Sequence, residues 1–590
     1  MAGKVLQISD ILVEDTMACK IGGMFREWDM LRQVKTKEWV EVRKYVFATD
    51  TSETSNSTLP WKNKTTLPKL CQIRDNLYAN YMRSMFPKRK WMYWEAFDKP
   101  SNDPEKRQAI EAYMAHVVER SGFKFEVAKA VLDWIDYGNA FLMPEWKDGR
   151  IETETHDQKG YVGPAAKRIS PLDIVFNPIA ASFDDSPKIV RSLIQIGEVK
   201  DLLEAQSTED NVKTLNELWE YMRMIRNRAS EYVGDKQDLN ELYQVDGFDN
   251  YTSYLKSGYC EVLTFYGDFY DIEGDKFYKN HVIKIVDRHK ILDLRPNDSI
   301  FGKPQIFHAP WRIRQDNLWG MGPLDNLVGM QYRIDHVENL KADLYDLTAF
   351  PPLHIKGMVE EFEWGPFARI YSDVDGEVKP LWADAQALNA NLEIADLANK
   401  MEEMAGAPKE AMGFRTPGEK TMYEVQRLEN AAGRIFQSKI ELFEELMVEP
   451  LLAALLELAK RKLPPQQIAM LDEEYQTTFF LELSNSDITG NGRIRPVAAR
   501  NFAEKAEKVQ NVTAWFNSAV GQDPNVMNHV SGIAVATMME DLLDLEGYGL
   551  IQENIRIQEQ SDTMRLANAQ TEDVQMEAAT PGIAPDDVSR

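Results

Sequence analysis

Residues 311–350 read WRIRQDNLWGMGPLDNLVGMQYRIDHVENLKADLYDLTAF. Apolar side chains at Leu327, Met330, Ile334, Val337, Leu340, Leu344 and Leu347 recur at intervals of three and four, which keeps them on one side of a helix turning about 100° per residue. The opposite face carries Gln331, Asp335, Glu338, Asn339, Ala342 and Asp346, with no Lys or Arg on it. Gly320, Gly322 and Pro323 punctuate the approach, and Pro suits a first helical turn because its missing N–H has no intrahelical partner there. The stretch predicts a helix from Pro323 to Leu347, a rod of roughly 37 Å, acidic along one side.

Towards the C-terminus, Phe350-Pro351-Pro352 ends the rod. A small cap follows, with strand character at Leu353–Ile355 and Ala368–Tyr371, a turn at Asp375-Gly376, and Pro380-Leu381-Trp382 leading out. A second helix is expected from Ala385 to Ala405, apolar at Ile394, Leu397, Met401 and Met404 and polar at Asn391, Asp396, Asn399 and Glu403. Two rods joined by a short excursion favour an antiparallel pair. Gly406–Lys420 (GAPKEAMGFRTPGEK) is a Gly- and Pro-rich loop carrying the cations Lys409, Arg415 and Lys420. Thr421-Met422-Tyr423-Glu424 has the pattern of a capping box that opens a long helix. Pro450 cannot donate to the Leu446 carbonyl, so it should kink that helix, which continues to Lys462 before Pro464-Pro465. Thr477–Leu483 reads as a strand that rejoins an earlier sheet, Val497–Ile557 as helix, and Gln558–Arg590 as a frayed polar tail.

Towards the N-terminus, helices are predicted over residues 16–47, Leu67–Phe86 and Asp103–Tyr137, the last broken near Ser121-Gly122. Thr49–Ser57 suits neither helical nor strand period and reads as a loop. Strands are expected at Ala140–Met143, closed by Pro144, and at Asp173–Phe176. Glu261–Tyr266 and His281–Val286 should form an antiparallel pair around the turn Glu273-Gly274-Asp275. Val199–Tyr243 is charged and helix-like, an insertion between strands. The fold class is α+β, mainly helical.

The chain has 590 residues, 44% hydrophobic and 10% aromatic, enough for three to five packed units by the rough rule of 100–200 residues each. A net charge of −26 argues against a protein that grips phosphates over a wide surface. Cys19, Cys71 and Cys260 lie far apart, without disulfide or zinc-knuckle spacing, which suits a reducing compartment. No apolar run is long enough to span a bilayer, and no secretory signal is visible at the start, so the expectation is a soluble chain without membrane contact.

Chemistry finds little foothold. Gly413–Thr421 imitates a phosphate loop, but Glu419 stands between Gly418 and Lys420, and a helix rather than a strand precedes it. The eight His show no HExxH pattern, and there is no GxSxG elbow. Pairs such as Asp184-Asp185 and Glu402-Glu403 read as solvated surface among 94 carboxylates. The basic run Lys88-Arg89-Lys90 beside Trp91, Tyr93 and Trp94 could hold a single strand, but the aromatics read better as core. No catalytic residue, metal site or cofactor is expected.

The order of body, rod, cap, returning rod, Gly-rich loop, kinked helix, return strand and helical end resembles the portal, or head-to-tail connector, protein of tailed bacteriophages. The stretches that carry the resemblance are Trp311–Asp343, Asp133–Ala140 (DWIDYGNA), Phe414–Leu428 (FRTPGEKTMYEVQRL) and Glu449-Pro450-Leu451-Leu452. It implies a wing over residues 1–310, with the insertion at about 199–243, and a first stem helix over 311–348. A clip over 349–384, a second stem helix over 385–405 and a tunnel loop over 406–421 would follow. The kinked helix and return to the wing would take 422–496, a crown 497–557 and a flexible tail 558–590. It implies a homo-oligomeric ring, commonly of twelve, at one capsid vertex of the virion, assembled in the host cytoplasm. Double-stranded DNA would pass through its channel during packaging and ejection. The partners would be the terminase large subunit, which supplies the power, then tail adaptor proteins, with the major capsid protein around the ring. On this resemblance Asp335, Glu338 and Asp346 would line the channel, and Lys409, Arg415 and Lys420 would touch DNA. Two other classes stay open at this level: a metal-dependent nucleic-acid enzyme, and an internal scaffolding or core protein of a capsid.

Overall fold

A computed structural model of the chain describes residues 16–48, 54–86, 91–149, 151–152, 157–158, 160–195, 197–198, 216, 219–220, 259–271, 274–286, 288, 290–297, 305–362, 370–371, 375–382, 391–405, 436, 438–462, 466–471, 478–483, 486–496, 512–513, 515–516 and 531–542. Nearly all of the 199–243 insertion, the 406–421 loop with Lys409, Arg415 and Lys420, most of 497–557 and the 558–590 tail lie outside the described residues. So do Lys88-Arg89-Lys90. The chain divides into two units, Met1–Ile468 with Leu481–Ala498, and Ala469–Phe480 with Ala499–Arg590.

In the first unit, helix α1 (Thr16–Phe47) matches the sequence expectation end to end. Its first half places Ala18, Ile21, Phe25 and Trp28 on a sheet, packed among Val175, Ile189, Leu263, Phe265, Ile283 and Ile285. Its second half carries Trp39 into another cluster with Tyr137, Phe141, Phe176 and Trp319. One helix thus fastens two cores. Trp39 is fully buried, and an aromatic of that size contributes about 5 kcal/mol of transfer free energy. Between the two cores, buried Arg32 donates to the Pro171 and Ile174 carbonyls at 2.7 and 2.8 Å and to Asp29 at 2.6 Å, so its charge is not left unanswered.

Helix α2 (Lys69–Met85) buries Leu70, Ile73, Leu77, Tyr81 and Met85, the five residues of the expected stripe. Strand β1 (Met92–Ala96) follows, with Trp91 and Trp94 buried as core aromatics. Helices α3 (Pro104–Arg120) and α4 (Phe123–Asp136) are separated where the sequence placed the break, at Gly122, whose φ of +79° a side-chain-bearing residue rarely adopts.

Strands β2 (Asn139–Asp148), β3 (Val162–Ile169), β4 (Ile174–Phe176), β5 (Lys188–Gln195), β6 (Tyr259–Asp271), β7 (Lys276–Val286), β8 (Lys290–Pro296) and β9 (Phe307–Pro310) build two antiparallel sheets. One has the order β8-β7-β6-β5-β4, the other β9-β2-β3. The expected pair appears as β6 and β7, with Asp271 opposite Lys276 at the turn. Pro144 does not close its strand. β2 runs through it because β9 pairs only Asn139–Leu142, so Pro144 sits where β2 has a neighbour on one side only.

The approach to the rod also departs from expectation. Arg312–Arg314 (β10) and Asn317–Met321 (β11) form a hairpin, and helix α5 begins at Val328, not Pro323. Turns fill the interval, with the Gly322 N–H donating to the Asp325 carboxylate at 3.0 Å and Leu324 and Leu327 fully buried. α5 ends at Ala349, and β12 (Leu353–Lys356) pairs with β13 (Glu377–Pro380) in an antiparallel hairpin. Of Ala368–Tyr371, expected to have strand character, the described residues Ile370 and Tyr371 lie outside any strand, although the Tyr371 carbonyl accepts from the Glu360 N–H. α6 (Asn391–Met404) returns. Lys341 donates to Asn391 at one end of the pair, and Glu402 reaches Lys69, beside Gln331, at the other, so the two helices are antiparallel. Glu402 is buried by that ion pair, unlike its exposed neighbour Glu403, which corrects the reading of both as solvated.

At Pro450 the irregularity is a π turn over Glu444–Val448, closed by the Glu449 N–H on the Glu444 carbonyl, and α7 (Glu449–Lys462) continues from it. Five-residue closure suits a proline whose ring crowds the ladder and donates nothing to it. α7 packs on β2 and β3. Gln466–Leu471 (β14) and Thr478–Leu483 (β15) pair with each other and not with the earlier sheets. The strand that does return is β16 (Gly492–Pro496), which pairs with β1, Trp94 opposite Ile494. Its Arg493 spans Glu95 and Glu449, each at 2.8 Å. In the second unit the described helix is α8 (Gly532–Leu542).

Burial, together with Glu441 and Glu449, pushes the Glu444 carboxyl up to about 8. The folded chain therefore holds a proton there that the unfolded chain releases near its ordinary value. Stability from this group is full below about pH 4.5 and is lost as pH rises towards about 8, with a slope approaching 1.4 kcal/mol per pH unit. Glu444→Gln should flatten the fall of the thermal midpoint between pH 5 and pH 8; an unchanged profile would show that Glu444 does not titrate there.

Candidate functional site

Two of the stretches singled out in the sequence meet at one point. Gly138 has a φ of +68°, and a Cβ on it would lie 2.3 Å from the Gly322 nitrogen and 2.4 Å from the Met321 carbonyl carbon. Only glycine lets the end of α4 approach the β10–β11 hairpin so closely. Next to it, fully buried Asn139 accepts from the Gly320 N–H at 2.8 Å and donates to the Tyr137 and Gly320 carbonyls at 2.8 and 3.4 Å. Its oxygen is also 3.0 Å from His308 Nε2. Burial, with Lys188 nearby, lowers the His308 pKa to about 3, so the ring is neutral and its Nε2 must carry the hydrogen to meet that oxygen. The Trp311 N–H donates to the Gly138 carbonyl at 2.9 Å, and its indole N–H to the Tyr81 hydroxyl at 3.0 Å. The base of the rod is thus bolted to the body.

The polar face of α5 follows a second geometric rule. Residues 61–67 lie extended along it, running in the opposite direction. The Leu67 N–H donates to Asp335 at 3.1 Å, the Thr65 N–H to Asn339 at 2.7 Å, and the Asn63 N–H to Asp343 at 2.9 Å. Four helical residues rise about 6 Å and two extended residues span about 6.6 Å, so every second N–H of the segment meets every fourth side chain of the helix. Asn339 also donates to the Thr65 carbonyl at 2.9 Å, so its amide takes both the N–H and the C=O of one residue. One step earlier on the helix the spacing changes: Gln331 donates to the Leu67 carbonyl at 2.6 Å and accepts from the Leu70 N–H at 3.2 Å, because the Lys69 N–H already donates to the Leu67 carbonyl. Asp343 also takes the Lys62 N–H at 2.9 Å. Although desolvation raises the Asp343 pKa, the Asn63 and Lys62 N–H groups hold it below the usual carboxylate range.

This arrangement separates the three acidic residues read as channel lining. Asp335 is fully buried and also accepts from the Thr66 hydroxyl at 3.1 Å, so it presents no charge at the surface of the chain. That corrects its placement on an open acidic face. Glu338 is half-buried and takes Lys341 at 2.6 Å; Asp346 is exposed and takes the Asn63 side-chain amide at 3.1 Å. Asp343, which was missed, anchors the far end. The signal for it was present as polar residues spaced by four (Gln331, Asp335, Asn339, Asp343), paired with a polar, unperiodic segment near residue 60.

At the far end of the two helices the surface turns apolar. Met358, Trp382 and Leu392 are 81%, 69% and 81% exposed, and Phe350, Ile355, Tyr371 and Leu381 are exposed too. Among the described residues the β12–β13 sheet has two strands, with no further strand paired to either edge. A lone two-stranded sheet is marginal in water, and clustered exposed apolar side chains mark a contact surface.

Among the described residues no group of His, Cys, Asp and Glu is placed to hold a metal ion, and no helix is long and apolar enough to cross a membrane. No protein-family model and no curated protein matches the sequence.

Two substitutions test the bolt at the base of the rod. Gly138→Ala forces a left-handed backbone and a clash with main-chain atoms, and should lower stability by roughly 3 kcal/mol or more. Asn139→Ala leaves the Gly320 N–H and His308 without their acceptor, a loss of about 2 kcal/mol. Denaturant unfolding of the full chain checks both, and unchanged midpoints would contradict the assignment.

Proposed function

We propose that this chain is a portal-type subunit: a ring-forming component of a tailed-phage capsid vertex through which double-stranded DNA passes, and not an enzyme. The observation that carries the reading is the exposed apolar hairpin at the tip of two antiparallel helices whose base is fixed to the body. A monomer gains nothing from holding Trp382, Met358 and Ile355 in water on an arm, whereas neighbouring copies that cover them bury apolar surface at about 25 cal/mol per Å². Head-to-tail contacts whose rotation closes generate rings.

The remaining parts of the reading follow from order and charge. Twelve copies at −26 each carry about −312, a ring that repels phosphate and offers a passing duplex few lasting contacts. Glu338 and Asp346 stay as acidic positions on the helix pair, and Lys409, Arg415 and Lys420 would be the cations that meet the backbone. The wing, stem, clip, tunnel loop and crown keep the boundaries expected from sequence, with the helical stem beginning at Val328. The tip would dock a terminase and later a tail adaptor, and the body would contact the major capsid protein.

Native mass measurement of the purified full chain should give a closed assembly of roughly 0.8 MDa for twelve copies of 67.7 kDa. Ile355→Ser with Trp382→Ser should lower the assembled fraction at least tenfold at equal concentration, while circular dichroism stays unchanged. A monomer at every concentration, or metal-dependent cleavage of DNA by that monomer, would overturn the reading.

A further inference from the structure

With 94 acidic and 68 basic side chains, two copies of this chain repel each other unless surfaces of opposite sign meet at their contact. The β10–β11 ribbon carries one such surface. Arg312 and Arg314 are exposed, and neither has a carboxylate partner among the described residues. Between them Ile313 is 62% exposed. Lys439 stands beside them: its ammonium donates to the Trp311 carbonyl at 2.6 Å and lies 4.4 Å from the centre of the Trp311 ring, which the Arg312 guanidinium also approaches, at 5.3 Å. Asp316 at the turn is the one carboxylate of the ribbon, so three cations face one acid.

A surface of the opposite kind runs along α1. Its residues Phe25, Trp28, Arg32, Thr36 and Trp39 are buried. At about 100° per residue, Met30, Leu31, Val34, Glu38 and Glu41 fall on the other side of the helix. All five are exposed, Val34 by 71%. Three apolar residues in one and a quarter turns of an outer helix face mark a contact surface. Glu41 has no ion-pair partner among the described residues. Glu38 shares Lys35 with Asp325, whose side chain is buried, so one ammonium serves two carboxylates. Lys37 borders the stripe along one side.

The two surfaces match in spacing as well as sign. Glu38 and Glu41, three apart on a helix, stand about 5–6 Å from each other. Arg312 and Arg314, two apart on a strand, stand at most about 6.6 Å from each other. Val34 lies one turn before Glu38, within reach of an apolar side chain held between the two guanidiniums. No ion pair joins Arg312 or Arg314 to α1 within one chain, among the described residues.

We propose that the Arg312-Ile313-Arg314 ribbon of one copy docks on the outer face of α1 of the next, its guanidiniums on Glu38 and Glu41 and its isoleucine against Val34. The contact rests on the ring reading and adds to it a pair of surfaces on the body, apart from the tip. Ribbon and helix are different surfaces, so the contact is heterologous, the kind that closes into a ring.

Charge reversal on each side, read by native mass measurement of the full chain at fixed concentration, tests it. Arg312→Glu with Arg314→Glu should lower the assembled fraction at least tenfold while circular dichroism stays unchanged, and Glu38→Arg with Glu41→Arg should do the same. Mixed in equal amounts, the two double variants should assemble again, since each ribbon then finds a helix of opposite sign. Assembly that survives in either double variant, or that is lost in both and does not return on mixing, would overturn this contact while leaving a wild-type ring intact. A wild-type chain that stays monomeric would overturn the ring reading and the contact together.

Discussion

The first unit depends on a match of two repeats. Side chains spaced by four along a helix and N–H groups spaced by two along an extended chain advance by nearly the same distance, so one can read the other over several steps. In this protein Asp335, Asn339 and Asp343 read Leu67, Thr65 and Asn63 across some 270 residues of intervening sequence. Each bond contributes only about 1 kcal/mol net, but the series fixes where helix Lys69–Met85 begins. That helix in turn brings Arg74 to Asp136 and Tyr81 to Trp311. Glu402 closes the arrangement by pairing with Lys69 at the start of the same helix.

The consequence for electrostatics is that charge counted along a sequence is not charge displayed. Asp133, Asp136, Asp335 and Glu402 are all buried against specific donors. A helix face that reads as an acidic wall is largely a docking track for another part of the same chain. What the arm displays at its tip is apolar surface, not charge alone.

Local periodicity was legible wherever one face met one core. The five buried residues of Lys69–Met85, the Gly122 break and the pair of strands around Gly274-Asp275 follow from spacing and turn chemistry alone. Features that depend on distant partners were not legible. Pro144 is tolerated because of where Phe307–Pro310 stops. The return strand is Gly492–Pro496, whose partner Met92–Ala96 lies about 400 residues earlier. Trp311–Met321 read as an approach to a helix because Gly320 and Gly322 look like punctuation, when their function is to admit the backbone of Gly138. Of the site, the importance of DWIDYGNA was visible as a pattern, but the partners of its Asp side chains were not. Arg168 and Arg74 reach Asp133 and Asp136 from separate elements.

Amide hydrogen exchange over residues 62–67 of the intact chain tests the repeat match most directly. The account predicts an alternation: slow exchange at Asn63, Thr65 and Leu67, fast exchange at Lys64 and Thr66, and loss of protection at Thr65 in Asn339→Ala. Uniform exchange along the segment, or protection at Thr65 that survives Asn339→Ala, would contradict it.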